Sequence, residues 1–329
     1  MKKLAILLVF YGIIFSISSF NKIPSHPTQK STLHTIILDA GHGGRDPGAT
    51  GLVSHEADIA LELVMKLGPA IEKEFPGIKI VYTRTSDVLP GNTDDIHQSL
   101  RARADIANKA KGDLFISIHC NANDQPAGGF YAKRVIGHKK KVEYVGKKKK
   151  KKIVTVPIYE SYWVKNMTTG TATYIWAADR GGLKGGVINN QDTDQGTEGS
   201  EGGEVVKDST NQLDLTSPEA KIRAQLYEKK YFANSFELAS LVEDQFDKAG
   251  RNSTGVKQRN NKGIWVLQAT AMPSILIETG FITNKEEEEY LNSDKGQGEM
   301  VRNIIAAIKL YKEHLNAASG GSSGGGSTR

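Results

Sequence analysis

Cysteine is almost absent: Cys120 is the single one in 329 residues. A lone thiol excludes an internal disulfide framework, so stability has to come from packing, with a metal as a further candidate. No internal repeat is visible. Charge of one sign is also scarce. The balance of 43 Lys+Arg against 37 Asp+Glu leaves +6, and nine of the positives sit in Lys139–Lys141 and Lys147–Lys152. Outside that segment the chain is close to neutral, and it carries no nucleic-acid recognition motif, so no nucleic-acid partner is expected. The lysines form a basic stretch that an anionic surface, such as a membrane or a cell wall, attracts.

What is present is ordinary in amount. At 38% hydrophobic residues the chain can bury a full core. Lys2 and Lys3 precede an apolar stretch from Leu4 to about Phe20. This predicts a signal peptide or an uncleaved anchor over residues 1–22, and hence an exported protein whose only membrane anchor is that N-terminus. No cysteine lies near a cleavage site, which argues against a lipid anchor. Residues 23–32 read as a linker, 33–316 as the folded domain with an insertion at about 124–217, and 317–329 as a flexible tail.

Within the domain, apolar runs alternate with helical spacing. Strands are predicted in HTIILDAGHGG, at 78–83, 113–119 and 171–177, and in GIWVLQ and PSILIETGF. Helices are predicted at 54–74 with Ser54 as cap, 99–111, 218–249, 285–291 and 298–315. In the 218–249 helix, Ile222, Leu226, Phe236, Leu238, Val242 and Phe246 read as core contacts. The alternation argues for an α/β single domain, with a mixed, mostly parallel central sheet flanked by helices.

Three strands end in a polar, reactive residue: IILDAGH at His42, LFISIH at His119 and SILIE at Glu278. Sites in open α/β sheets gather at the carboxyl ends of strands, so one place can receive His, His and Glu. Two histidines and a carboxylate are a common ligand set for catalytic zinc. The carboxylate candidates are Asp39, Asp46, Glu56, Asp58 and Glu278. His55 competes with Glu56, but neighbours in a helix point about 100° apart and cannot both face one metal. Cys120 alternates away from His119 and reads as packing.

IILDAGHGGRDPGA, the glutamate of SHEADIAL, LRARADIANKAKGDLFISIHCNAN and PSILIETGFITNKEEEEYL occur in that order. Together they resemble the zinc-dependent N-acetylmuramoyl-L-alanine amidases of the Amidase_3 type, which are cell-wall hydrolases. The resemblance implies zinc (Zn2+) held by His42, Glu56 and His119, with Glu278 as the catalytic residue. The implied reaction is hydrolysis of the amide between N-acetylmuramic acid and L-alanine in peptidoglycan, in the periplasm or at the cell wall. Weaker matches are Arg84, Asp87, Arg103, Asn108 and Asn121, which read either as residues that fix loops or as residues that line the site; Arg84, Arg103 and Asn121 are the candidates to line the substrate site.

The insertion is longer than its connection requires. It reads as an irregular surface decoration, or, as its resemblance to family members from Gram-negative bacteria implies, as an autoinhibitory element that an activator protein removes, with Glu201, Glu204 or Asp208 as a pseudo-ligand. The competing functional readings are a zinc peptidase acting within the stem peptide and a non-catalytic wall-binding protein.

Overall fold

Parallel sheets buried on both faces are built from strands that are apolar almost throughout, and three strands of this chain have that character. The computed structural model describes residues 33–176, 218–260 and 263–320. β1 (Thr35–Ala40), β3 (Leu114–Asn121) and β8 (Ser274–Phe281) lie side by side. Ile36, Ile37, Leu38, Leu114, Phe115, Ile116, Ile275 and Ile277 are all fully buried in them. Around this core run β2 (Lys79–Tyr82), β6 (Thr171–Ile175) and β7 (Ser253–Gln258), giving the order β2-β1-β3-β8-β6-β7. Every pairing is parallel except β6 with β8. The expected mixed, mostly parallel sheet is therefore observed.

The helices among the described residues are α1 (Glu56–Glu74), α2 (Ile96–Lys109), α3 (Pro218–Lys248), α4 (Trp265–Ala269), α5 (Lys285–Leu291) and α6 (Asp294–Gly320). α1 buries Ile59, Leu63, Val64, Leu67 and Ile71, one face at helical spacing. Residues 33–312 form one compact unit, and the described residues after it are the final turns of α6. No helix among the described residues is long and apolar enough to cross a membrane.

Several expectations need correction. GIWVLQ is not a strand: Trp265–Ala269 form a helix of five residues, too short for helical periodicity to show against its aromatic and β-branched composition. α2 begins at Ile96, because the Asp95 carboxylate accepts from the His97 and Gln98 backbone N–H groups. In α3, Leu238, Val242 and Phe246 are buried as expected, but Ile222, Leu226 and Phe236 are exposed. The first part of the insertion is not irregular. It is an antiparallel hairpin of β4 (Gly129–Val145) and β5 (Lys150–Lys165), in register but for one bulge at Ile136. The proposed pseudo-ligands Glu201, Glu204 and Asp208, the N-terminal 32 residues and the tail from 321 lie outside the described residues.

Candidate metal centre

β1 and β3 are paired so that Ala40 lies beside Ile118, and β3 and β8 so that His119 lies directly beside Glu278. Partners in a parallel pair share a face, so His119 and Glu278 leave the sheet on the same side. His42 follows two residues after β1 ends, and Glu56 is the first residue of α1. Three adjacent strand ends and one helix start thus deliver all four side chains to one end of the sheet.

Close packing sets the loop between them. Gly41 has no room for a side chain: a Cβ there would lie 2.4 Å from the His119 ring. His42 itself has φ 58°, a left-handed conformation that a non-glycine residue adopts only under constraint. The constraint comes from two buried arginines. Arg84 donates to the Ala40, Gly41, Ala57 and Ser86 carbonyls. Arg103 donates to the Ala40 and His42 carbonyls and to Asp39 Oδ1. Asp39 also accepts from Thr83 and Ser117. Burial alone would raise the Asp39 pKa, but the Arg103 charge and the two hydroxyls outweigh it and hold the carboxyl below its usual range.

The ligand atoms of His42, Glu56 and His119 lie within 4.8 Å of one another. His119 Nδ1 is 2.8 Å from Glu56 Oε1 and His42 Nε2 is 3.2 Å from the same oxygen. The rings meet edge-on with centroids 4.9 Å apart. The backbone N–H groups of Cys120 and Ala49 donate to the two Glu56 oxygens. Asp46 Oδ2 holds His42 Nδ1 at 2.8 Å, which fixes the ring and leaves Nε2 facing Glu56. Gly48 makes room for this, since a Cβ would come within 2.6 Å of the His42 ring and 2.7 Å of Glu56 Oε2.

The electrostatics describe a seat for positive charge. Burial disfavours a charged His42, yet the bonds to Asp46 and Glu56 overrule it and push its pKa up to about 10. Burial would likewise raise Glu56, and the hydrogen bonds from His119 and His42 hold it well below the usual carboxylate range instead. A metal ion competes with protons for the same donors, and two imidazole nitrogens with a carboxylate oxygen suit a catalytic zinc. Glu278 differs. Its pKa is pushed up to about 7, chiefly by burial, and its Oε2 is enclosed without a hydrogen-bond partner among the described residues. A carboxylate so placed is fitted to a proton or to a ligand beside the cluster.

Of the residues considered as substrate-lining, Arg84 and Arg103 are buried, at 4% and 3% exposure, with their guanidinium groups on main-chain carbonyls. Of the two readings, fixing a loop or lining the site, these contacts favour the first, since both arginines hold the loop that carries His42. Asn121 is half-buried at the end of β3, its carbonyl accepting from Ile282. Asp87 holds the Gly44 N–H, and Asn108 clamps Ala269 and Ala271 beside α4. His55 is exposed at the N-cap of α1, and Cys120 is buried, as expected. Glu288 was not singled out by sequence. Its carboxylate accepts from the Leu52, Val53 and Ser54 N–H groups and from the Ser54 hydroxyl, at 2.8–2.9 Å. Ser54 therefore serves this loop rather than capping α1. Within KEEEEYL nothing marks one glutamate from the next except that Glu287 and Glu288 are buried.

Comparison with known proteins agrees with this geometry. The sequence profile of N-acetylmuramoyl-L-alanine amidase matches residues 36–310. The amidase AmiC of Escherichia coli is 29% identical over 280 residues, covering 84% of this chain and 52% of that protein. A probable amidase AmiB of Haemophilus influenzae is 26% identical over 273 residues, covering 79% and 48%. The chain thus spans about half the length of these relatives. Among solved structures, an N-acetylmuramoyl-L-alanine amidase from Clostridium difficile 630 shares the fold, with a TM-score of 0.50 at 22% identity over 86% of this chain and 98% of that one.

Proposed function

The chain belongs to the N-acetylmuramoyl-L-alanine amidase family, and from that premise we propose that it hydrolyses the amide between N-acetylmuramic acid and L-alanine in peptidoglycan. The observation that carries the reading is the convergence of His42 Nε2, Glu56 Oε1 and His119 Nδ1 within 4.8 Å, beside Glu278 on the next strand. His42, Glu56 and His119 would hold zinc. A zinc ion in that seat supplies Lewis acidity to the scissile carbonyl and to the charge that develops on its oxygen.

The remaining work falls to the chain. Asp46 keeps His42 in one orientation, and the Cys120 and Ala49 N–H groups keep Glu56 in another. Glu278 takes a proton from the attacking water and returns it to the departing amine of L-alanine. Burial raises its pKa toward neutrality, so both the carboxylate and the acid are accessible in one cycle. Residues 33–316 would be the catalytic domain and residues 1–22 the export signal or anchor, with the periplasm as the working compartment. An activator acting on the insertion would then be a further partner.

The test is zinc content together with soluble products from purified peptidoglycan. Wild type should bind zinc and release stem peptides with a free alanine amine while leaving the sugar chains intact. Glu278→Gln should keep zinc and lose roughly 10²–10⁴-fold in rate; wild-type activity in that variant would sink the assignment. Activity that appears only when residues 180–216 are removed would assign inhibition to that segment. Cleavage within the stem peptide would replace the amidase reading with a peptidase.

A further inference from the structure

More than half of the large hydrophobic side chains exposed among the described residues lie on the β4–β5 ribbon. Among the described residues the two strands pair only with each other, over 17 and 16 residues. At about 3.3 Å per residue the ribbon is roughly 50 Å long. Its register places Tyr131 opposite Trp163 and Val135 opposite Tyr159 towards the base. Past the bulge at Ile136 it places Val142 opposite Ile153 and Tyr144 opposite Lys151 near the tip. Cross-strand partners share a face and every second residue returns to it, so β5, which has no bulge, carries this row along a single face. The seven apolar side chains of that row are 45–72% exposed. Nine lysines, Lys139–Lys141 and Lys147–Lys152, crowd the distal half, where Glu143 is the one acid.

An isolated two-stranded ribbon is marginal in water, and an uncovered apolar face of this size marks a docking surface. Charge decides the occupant. A second copy would set nine lysines against nine. An anionic polysaccharide would meet the lysines and stack sugar rings on tyrosine and tryptophan, but offers no apolar partner to Val135, Val142 and Ile153. An anionic bilayer takes both, with headgroup phosphates for the lysines and the headgroup–acyl boundary for tyrosine, tryptophan, valine and isoleucine.

We propose that the β4–β5 ribbon is a membrane-docking arm that lies on an anionic phospholipid surface. Membrane contact is then not confined to the N-terminal segment, as the sequence suggested. The proposal rests on exposure, register and charge, and is independent of the amidase reading.

The experiment is co-sedimentation of the full chain with vesicles of phosphatidylcholine, with or without phosphatidylglycerol. It compares wild type, a Lys147→Gln/Lys148→Gln/Lys149→Gln variant, and a Tyr144→Trp variant. The N-terminal segment is common to all three, so differences between them report on the ribbon. The triple variant should lose about 100-fold in partitioning to the anionic vesicles, with no change on neutral ones. Tryptophan at 144 should be quenched by lipids brominated on their acyl chains. Hydrolysis of a soluble N-acetylmuramoyl peptide should be the same in all three, whatever that activity is. Unchanged partitioning of the triple variant, or bound protein without quenching at 144, overturns the proposal. So does lysine-dependent binding to purified sacculi but not to vesicles, which would assign the arm to wall polymer.

Discussion

At the carboxyl ends of β1, β3 and β8 the charged groups are enclosed and nearly every one is tied to a partner, whereas along β4 and β5 lysines and aromatic side chains stand in solvent. Asp39 has three side-chain donors and Glu56 has two rings and two backbone N–H groups. On the ribbon, Arg134 with Glu160 and Lys141 with Glu143 are surface pairs, of a kind worth little in water. The difference is one of desolvation. A buried charge must have its geometry fixed, because leaving it unpaired costs several kcal/mol. An exposed charge is cheap to keep and stays available. The first arrangement suits a small ligand whose position matters, and the second suits an extended surface.

The contrast can be pressed hardest at His119. His119→Ala removes one of the nitrogens proposed to hold zinc and leaves the Glu56 carboxylate without its nearest ring. Loss of a supporting residue typically costs 10–100-fold in metal affinity, so loss of a ligand should exceed about 100-fold. Zinc analysis and an assay on peptidoglycan should fall together; retained zinc would show that the cluster is not the metal's seat. Next is Glu288→Gln, which takes the charge from a buried carboxylate that accepts four hydrogen bonds. A cost of about 2–3 kcal/mol is expected, visible as a drop of several degrees in Tm. An unchanged melting curve would mean that the loop holds itself. The smallest effect is expected on the ribbon. Ile153→Ser should alter stability by no more than about 0.5 kcal/mol, because the side chain is 65% exposed. A larger loss in thermal melting would show that the face is covered and would blur the comparison.

The two regions also differed in how far the sequence revealed them. The strands ending at His42, His119 and Glu278 were legible, since each is an apolar run closed by polar residues and all three are central strands. The hairpin was not legible. Lysine runs and Gly137 interrupt the alternation that marks a strand, and the ribbon has no buried face to impose it. Asp46 was visible as a carboxylate, but not as the group that orients His42, because that depends on the turn at residues 43–46. For Arg84 and Arg103 the sequence left fixing a loop and lining the site undivided, for a related reason. Their acceptors are main-chain carbonyls, which leave no mark in the sequence.

Glu288 has a consequence for timing. The loop it ties down, residues 52–54, stands 234–236 positions earlier in the chain and leads directly into Glu56. β8, which carries Glu278, is also among the last strands to be synthesised. Synthesis from the N-terminus therefore delivers the two histidines and Glu56 long before either Glu278 or the clamp on the loop exists. Until residues 274–288 have emerged, neither Glu278 nor the tie on residues 52–54 is present, so the four side chains cannot yet be held at one end of the sheet.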